Sequence, residues 1–69
     1  MRNLSKATVV KRIAATRKRG GITTTVAASK AGIAQSSWSE VETGKRFASW
    51  DQVIAMAKAV GLNIKVVIE

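Results

Sequence analysis

The segment that decides the fold is residues 21–46, which read GITTTVAASKAGIAQSSWSEVETGKR. Threonine often precedes the first turn of a helix, because its hydroxyl accepts a hydrogen bond from a backbone N–H group that lacks a partner within the helix. We therefore predict that Thr23 or Thr24 caps a short helix that runs to about Ala31. The apolar residues predicted to form its buried face are Val26, Ala27, Ala28 and Ala31.

A tight turn and a further helix follow in the same segment. Glycine is the usual residue after a helix end, so Gly32-Ile33 separates the two helices. Trp38 and Val41 then recur at helical spacing, which predicts a helix from about Gln35 to Thr43 with both side chains facing inward. Two short helices joined by a tight turn indicate a helix-turn-helix.

Two more helices are predicted on either side of this pair. Ser5 is the expected cap of a first helix, which Gly20-Gly21 ends. Ser49 caps a fourth helix, and Gly61 stops it. Apolar residues at helical spacing in these two segments are Val9, Val10, Ile13 and Ala14 in the first, and Trp50, Val53, Ile54, Ala57 and Val60 in the fourth. The fold class is therefore mainly α, with four short helices.

The end of the sequence changes its period from 3.6 to 2. Apolar residues alternate with other residues at Leu62, Ile64, Val66 and Ile68, which predicts a β-strand over residues 62–69. No other segment is predicted to be a strand, and an unpaired strand edge promotes aggregation. We therefore expect two copies of the chain to pair these strands across a two-fold axis. The alternative is a frayed tail that only lays Leu62 and Ile64 on the core.

Composition narrows the classes of function. The chain has 69 residues, which allows a single domain over residues 1–69, and 46% of them are hydrophobic. It has no cysteine and no histidine, so neither a disulfide nor a zinc site of the usual kind is expected, and no cofactor is expected. Nucleophile–base pairs are scarce for the same reason, and we expect no enzyme activity. No apolar run approaches a membrane span, so we expect a cytoplasmic protein.

The charge is concentrated near the start of the sequence. Lys and Arg number 12 against four Asp and Glu, and seven of the bases precede Ile22. Such a segment attracts polyanions, with nucleic acid the leading candidate. It is equally typical of a solvated helix face whose charges only aid solubility, and charge alone does not decide between the two. The seven basic residues are Arg2, Lys6, Lys11, Arg12, Arg17, Lys18 and Arg19.

Short motifs along most of the chain resemble those of a known family. The motifs are Gly21-Ile22-Thr23, Gly32-Ile33, Ser36-Ser37-Trp38-Ser39, Val41-Glu42-Thr43-Gly44-Lys45-Arg46 and Ala57-Lys58-Ala59-Val60-Gly61. Their spacing from about Val9 to Leu62 resembles the XRE-type, phage-repressor-like helix-turn-helix family. The last strand is similar to that of HipB-type antitoxins, in which it builds the dimer. The resemblance implies a lambda-repressor-like fold and double-stranded DNA as the partner.

The third helix would lie in the major groove and lead with its N-terminal residues. Because Trp38 and Val41 face inward, the outward residues are Gln35, Ser36, Ser39 and Glu40, which we predict to read bases. The two serines could instead contact phosphates or form a plain solvated surface, and Glu40 could instead repel phosphates. Gln35 is the strongest candidate, since a carboxamide bonds adenine N6 and N7 together. The resemblance implies base reading at the positions of Gln35, Ser36 and Glu40. The resemblance implies phosphate contacts from Thr23, Thr24, Lys45 and Arg46, and we predict a further one from Ser37. The resemblance also implies an ion pair between Arg17 and Glu42.

Three hypotheses of function remain at this stage. The first is a sequence-specific repressor that binds a palindromic operator as a homodimer. The second is the antitoxin of a toxin–antitoxin pair, with a toxin as a further partner, that also represses its own operon. The third is a membrane-active basic peptide, which the organised helices disfavour. The first two place the protein in a bacterial cytoplasm, encoded by the bacterium or a phage and associated with the nucleoid.

Overall fold

Hydroxyl side chains begin three of the four helices in the computed structural model, which describes residues 5–62. Ser5, Thr23 and Ser49 each accept a hydrogen bond from the backbone N–H three residues further on, at 3.2 Å. Ala34 precedes the remaining helix and supplies no side-chain cap. The prediction of four short helices is confirmed. They are α1 (Lys6–Arg19), α2 (Thr24–Ala31), α3 (Gln35–Glu42) and α4 (Trp50–Ala59).

All four helices end in the same backbone motif. A glycine with φ between 69° and 82° follows each last turn. The next residue then donates its N–H to the carbonyl five positions earlier, at 2.8–3.0 Å. Three of these next residues are aliphatic, half-buried and packed on the core: Ile22, Ile33 and Leu62. The fourth, after α3, is the exposed Lys45. The motif therefore anchors three helix ends on the core and leaves the end of α3 open to solvent.

The core is centred on Trp38 of α3. This side chain is fully buried, and so are those of Ile13 from α1 and of Val53 and Met56 from α4. Ala27 and Ala28 are also fully buried, so α2 packs closely against both α3 and α4. The large indole fills the space that small alanines leave, and this keeps the interior closely packed. Trp50, also predicted to lie in the core, is only partly buried at its edge.

One predicted core residue lies on the wrong side of α2. Val26 was expected to be buried, but it is 47% exposed. Ala27, Ala28 and Ala31 define the inner face, and at about 100° per residue Val26 points roughly 150° away from the centre of that face. The four apolar residues predicted for the buried face therefore do not share one face, because Val26 lies opposite the three alanines.

The predicted strand over residues 62–69 falls largely outside the described residues. Ile64, Val66 and Ile68 all lie there. Leu62, the first residue of the predicted strand, is described, and it belongs to the end of α4. It is half-buried against the core of its own chain, and its N–H donates to Ala57 O at 2.8 Å. The backbone motif at Gly61 thus uses this residue to close α4 on the core.

The four helices are short. The longest, α1, has 14 residues and carries bases along its exposed side. Within residues 5–62, no helix combines the length and the apolar character that crossing a membrane would require.

A nearly buried ion pair ties α1 to α3. The Arg17 guanidinium donates to both carboxylate oxygens of Glu42, with Nε–Oε2 at 2.9 Å and Nη2–Oε1 at 2.7 Å. The two side chains are only 11% and 12% exposed. Trp38 Nε1 donates to the same carboxylate at 2.8 Å, and Arg17 Nη1 donates to Ile22 O at 2.8 Å. The pair therefore joins α1, α3 and the segment before α2 in a single hydrogen-bonded network.

We expect Arg17→Ala to lower the melting temperature sharply. The substitution leaves the Glu42 carboxylate almost buried and without its cation, which costs about 3–5 kcal/mol. A domain of this size has a total stability of only about 3–5 kcal/mol, so the variant should be largely unfolded near room temperature. Thermal and urea unfolding followed by far-UV circular dichroism measures the effect.

Two further variants serve as controls for Arg17→Ala. Arg46→Ala removes the same kind of side chain from a pair that is 53% and 44% exposed, and should cost less than about 1 kcal/mol. The double variant Arg17→Met, Glu42→Gln leaves no unpaired carboxylate, keeps an acceptor for Trp38, and should be more stable than Arg17→Ala. Superimposable melting curves for Arg17→Ala and wild type would contradict the assignment.

Stability should also depend on pH through Glu42. The hydrogen bonds from Arg17 lower the pKa of this carboxyl below its ordinary value of 4.5, burial opposes them, and the bond from Trp38 acts in their direction. A carboxyl whose pKa is lower in the folded state stabilises the fold above its unfolded pKa, and this contribution is lost as the pH falls through the folded pKa. The urea concentration at which half of the wild type is unfolded should therefore decrease when the pH is lowered below about 4.5. In Glu42→Gln the decline should be shallower, and an equally steep decline would contradict the role of Glu42.

Candidate nucleic-acid interface

The turn between α2 and α3 sets how α3 is presented. Gly32 has φ +74°, a conformation that side-chain-bearing residues rarely adopt, although a Cβ there would meet nothing within 4 Å. Glycine is therefore favoured at position 32 by the backbone conformation and not by a lack of space. Ile33 follows, donates its N–H to Ala28 O at 3.0 Å and packs on the core. This anchor fixes the direction in which α3 leaves the turn.

Helix α3 has an apolar inner side that packs in the core and a polar outer side. Trp38 and Val41 are buried. The predicted base readers lie on the remaining surface: Gln35 and Ser36 are exposed, and Ser39 and Glu40 are half-buried. The helix thus presents a row of amide, hydroxyl and carboxylate groups beginning at its first residue.

Gln35 is held in place by two hydrogen bonds. Its Nε2 donates to Thr24 Oγ1 and to Ser39 Oγ, both at 3.0 Å. Thr24 is the first residue of α2 and Gln35 is the first residue of α3, so the bond links the starts of the two helices. Both Nε2 hydrogens are engaged, while Oε1 accepts no hydrogen bond from residues 5–62. The side chain is therefore oriented with an unused acceptor.

Glu40 and Arg46, predicted to act separately on a base and on a phosphate, form an ion pair. Arg46 Nε lies 3.0 Å from Glu40 Oε1. The backbone N–H groups of Lys45 and Arg46 also donate to Glu40 O, at 2.8 and 3.2 Å. An exposed pair of this kind contributes little to stability and exchanges readily with other ions. Its main effect is to hold the Arg46 side chain beside α3.

The two acidic residues of α3 are thus both paired with arginines. Glu40 pairs with Arg46 and Glu42 with Arg17. Each carboxylate of α3 therefore has a neighbouring cation, which reduces the negative charge that the helix presents to a polyanion. The arrangement also removes Arg17 from the basic surface, so the charge available to a ligand is smaller than the sequence total suggests.

The remaining predicted phosphate contacts are spread over three places. Thr23 Oγ1 accepts the N–H of Val26 as the cap of α2, and Thr24 is half-buried beside Gln35. Ser37 is half-buried on α3, one residue from the exposed Ser36. Lys45 is exposed in the loop after α3. The structure therefore brings Thr24 into contact with Gln35, one of the predicted base readers, and Lys45 precedes Arg46 in the loop.

Two residues near this surface were not identified from the sequence. Thr43 Oγ1 donates to Ser39 O at 2.8 Å and so helps to close α3. Phe47 is 97% exposed in the loop between α3 and α4. The sequence does distinguish Phe47: it is the single phenylalanine, it lies outside every predicted apolar stripe, and it follows two basic residues.

Comparison with known protein families gives one result that agrees with this geometry. The family model described as a helix-turn-helix domain matches residues 5–65, which is most of the chain. No curated protein and no solved structure matches the chain significantly. The matched range contains all four helices, the turn at Gly32 and the polar surface of α3. The chain therefore belongs to the helix-turn-helix domain family.

Proposed function

We propose that this protein is a sequence-specific DNA-binding transcriptional repressor of the XRE type that acts as a homodimer on a palindromic operator. The observation that carries the proposal is the oriented Gln35 at the start of α3, bonded to Thr24 and Ser39. A side chain fixed before binding loses less conformational entropy when it meets a base. The proposed location is a bacterial cytoplasm, associated with the nucleoid.

The free acceptor of Gln35 determines what this residue would recognise. Oε1 suits an exocyclic amino group, which in the major groove means adenine N6 or cytosine N4. Adenine is favoured, because releasing the bond to Ser39 frees an Nε2 hydrogen for adenine N7 and completes a bidentate contact. Ser36, Ser39 and Glu40 would contact the neighbouring bases from the same side of α3.

Phosphate contacts would hold α3 in the groove. The start of α2 offers Thr23 and Thr24 near backbone N–H groups that suit an anion. Lys45 and Arg46 extend from the loop after α3 and would reach the backbone of the same duplex, with Ser37 nearer the helix start. Promoter occupancy by such a protein would exclude polymerase, which is the simplest route to repression.

The small size of the domain and the geometry of DNA support the proposed homodimer. Two recognition helices would enter successive major grooves about 34 Å apart and read two half-sites of opposite direction. We propose the segment from Leu62 to Ile68 as the dimer contact, because its alternating apolar pattern needs a partner strand. Pairing of the two copies would roughly double the recognised sequence.

We expect Gln35→Ala to relax the base preference at one position of each half-site, at a cost of roughly 1–3 kcal/mol in discrimination. Lys45→Ala should instead weaken binding to all sequences and reduce the salt slope by about one. Selection of bound duplexes from random DNA, followed by affinity measurements at several salt concentrations, separates the two effects.

Lys30→Ala is the matched control for Lys45→Ala. It removes the same charge from an exposed position in the last turn of α2, away from α3 and its loop. It should lower affinity less than Lys45→Ala and leave base preferences unchanged. If neither Gln35→Ala nor Lys45→Ala alters operator binding, the proposed docking of α3 is wrong.

Removal of residues 63–69 should convert the dimer to a monomer. The truncation keeps Leu62, because this residue packs on the core. Sedimentation equilibrium measures the mass, and far-UV circular dichroism checks that the four helices persist. Binding to a palindrome should fall toward the affinity for a single half-site, since the second contact is no longer linked to the first. A folded, fully dimeric truncated protein would rule out the strand as the dimer contact.

The alternative proposal is the antitoxin of a toxin–antitoxin pair that also represses its own operon. An open groove of about 550 Å³ supports it, because none of its lining residues lies on α3 or in the loop after it. A bound protein would therefore leave the DNA-reading surface accessible. Co-expression with the product of the adjacent gene tests this, and co-purification of a 1:1 or 2:2 complex would favour the antitoxin. The groove is lined by Ile22, Lys30, Ala55, Lys58, Ala59, Val60 and Gly61.

A further inference from the structure

Phe47 is a large apolar side chain placed almost wholly in water. It is 97% exposed, whereas the next most exposed large hydrophobic residue among residues 5–62, Val26, is 47% exposed. Removing an aromatic ring from water is favourable, and no contact within the described part of the chain achieves this for Phe47. The ring is therefore available to a binding partner.

The backbone on both sides of Phe47 is held by the fold. Before it, Arg46 is bonded to Glu40 through both its N–H group and its side chain. After it, Ala48 is buried, and its carbonyl accepts a hydrogen bond from Lys6 Nζ at 3.0 Å. Ser49 then caps α4. The ring thus projects from a segment anchored at both ends, which lowers the entropic cost of using it in binding.

Charge around Phe47 indicates the chemistry of its partner. Lys45 and Arg46 precede it, and both are exposed. A second copy docked through this loop would bring two Lys45 ammonium groups together, beside arginines that Glu40 only partly neutralises, and this opposes self-association. A DNA strand offers the opposite: phosphates for the cations and, between them, the apolar C–H faces of deoxyribose. An aromatic ring next to basic residues suits this alternation of phosphate and sugar, because the ring can pack on a sugar while the basic side chains contact the phosphates.

We propose that Phe47 packs its ring against a deoxyribose of the DNA strand whose phosphates Lys45 and Arg46 contact. The inference rests on the proposed DNA-binding function and adds an apolar contact to it. The contact carries no base preference, because every nucleotide presents the same sugar. It also releases no counterions, in contrast to a lysine or arginine on a phosphate. Phe47 therefore contributes a part of the affinity that is independent of salt.

Salt titration distinguishes this contact from a charged one. The wild type, Phe47→Ala, Phe47→Leu and Lys45→Ala are titrated against a labelled duplex of about 30 base pairs, selected by the wild type from random DNA. Salt is varied from about 50 to about 200 mM. Phe47→Ala should bind about tenfold more weakly at every salt concentration with an unchanged slope, and Phe47→Leu should recover part of the loss. Lys45→Ala should change the slope.

The absence of cysteine from the chain permits a direct test of proximity. Phe47→Cys introduces a unique thiol, and the same duplex should slow its alkylation by a maleimide. Ser29→Cys places an equally unique thiol at an exposed position of α2, and its alkylation should be unaffected by DNA. Melting temperatures of the Phe47 variants should match the wild type, because the side chain makes no contact that stabilises the fold.

Each other outcome identifies what is wrong. If the wild type binds the duplex and Phe47→Ala binds equally well, the sugar contact is wrong and the proposed function stands. If the wild type selects no DNA at all, the proposed function itself fails. If Phe47→Ala changes the salt slope, the ring acts only through its basic neighbours. If Phe47→Ala changes the mass in sedimentation equilibrium while each remaining dimer binds DNA normally, the partner is a second copy.

Discussion

The ion pair between Arg17 and Glu42 is the interaction on which the rest of the structure depends. A chain of this size, rich in alanine, has little apolar area to bury, and its helices are too short to be stable alone. The pair joins α1 to α3, and the same carboxylate accepts the indole N–H of Trp38, the largest residue of the core. Core packing and polar bonding thus meet at one carboxylate. The cost of burying the two charges offsets much of their attraction, so the network adds little net stability. Any arrangement that separates the two charges would leave one of them buried and unpaired, and the network therefore specifies the position of α3.

Local backbone rules explain how such short helices are delimited. Three hydroxyl caps and four glycines of positive φ mark their ends within residues 5–62. Where the residue after the glycine is aliphatic, the helix end is tied to the core; where it is Lys45, the helix end faces solvent. One side chain thus distinguishes the end of α3, which borders the candidate nucleic-acid interface, from the other three helix ends.

The sequence predicted the four helices, their caps and most of the core, because these depend on periodicity and on residues adjacent along the chain. Val26 was misassigned because an apolar residue does not by itself show which side of a helix it occupies. The bond from Gln35 to Thr24 and the pairing of Glu40 with Arg46 were not predicted, since each depends on how separate segments approach in space. Phe47 was not predicted because periodicity identifies apolar residues that are buried, and Phe47 lies outside every predicted apolar stripe. The strand predicted for residues 62–69 lies outside the described residues beyond Leu62 and remains a prediction.

The pairing of Glu40 with Arg46 has a consequence for how DNA would be bound. Arg46 already has a counter-anion within the protein, so when it transfers to a phosphate it exchanges one ion pair for another. In the proposed complex, the transfer would set the Glu40 carboxylate free at the surface of α3, where it would face the bases. A cytosine N4 amino group would satisfy that carboxylate, whereas guanine O6 or thymine O4 would repel it. Backbone attachment and base selection would then be coupled, and a duplex with the wrong base would return Arg46 to Glu40.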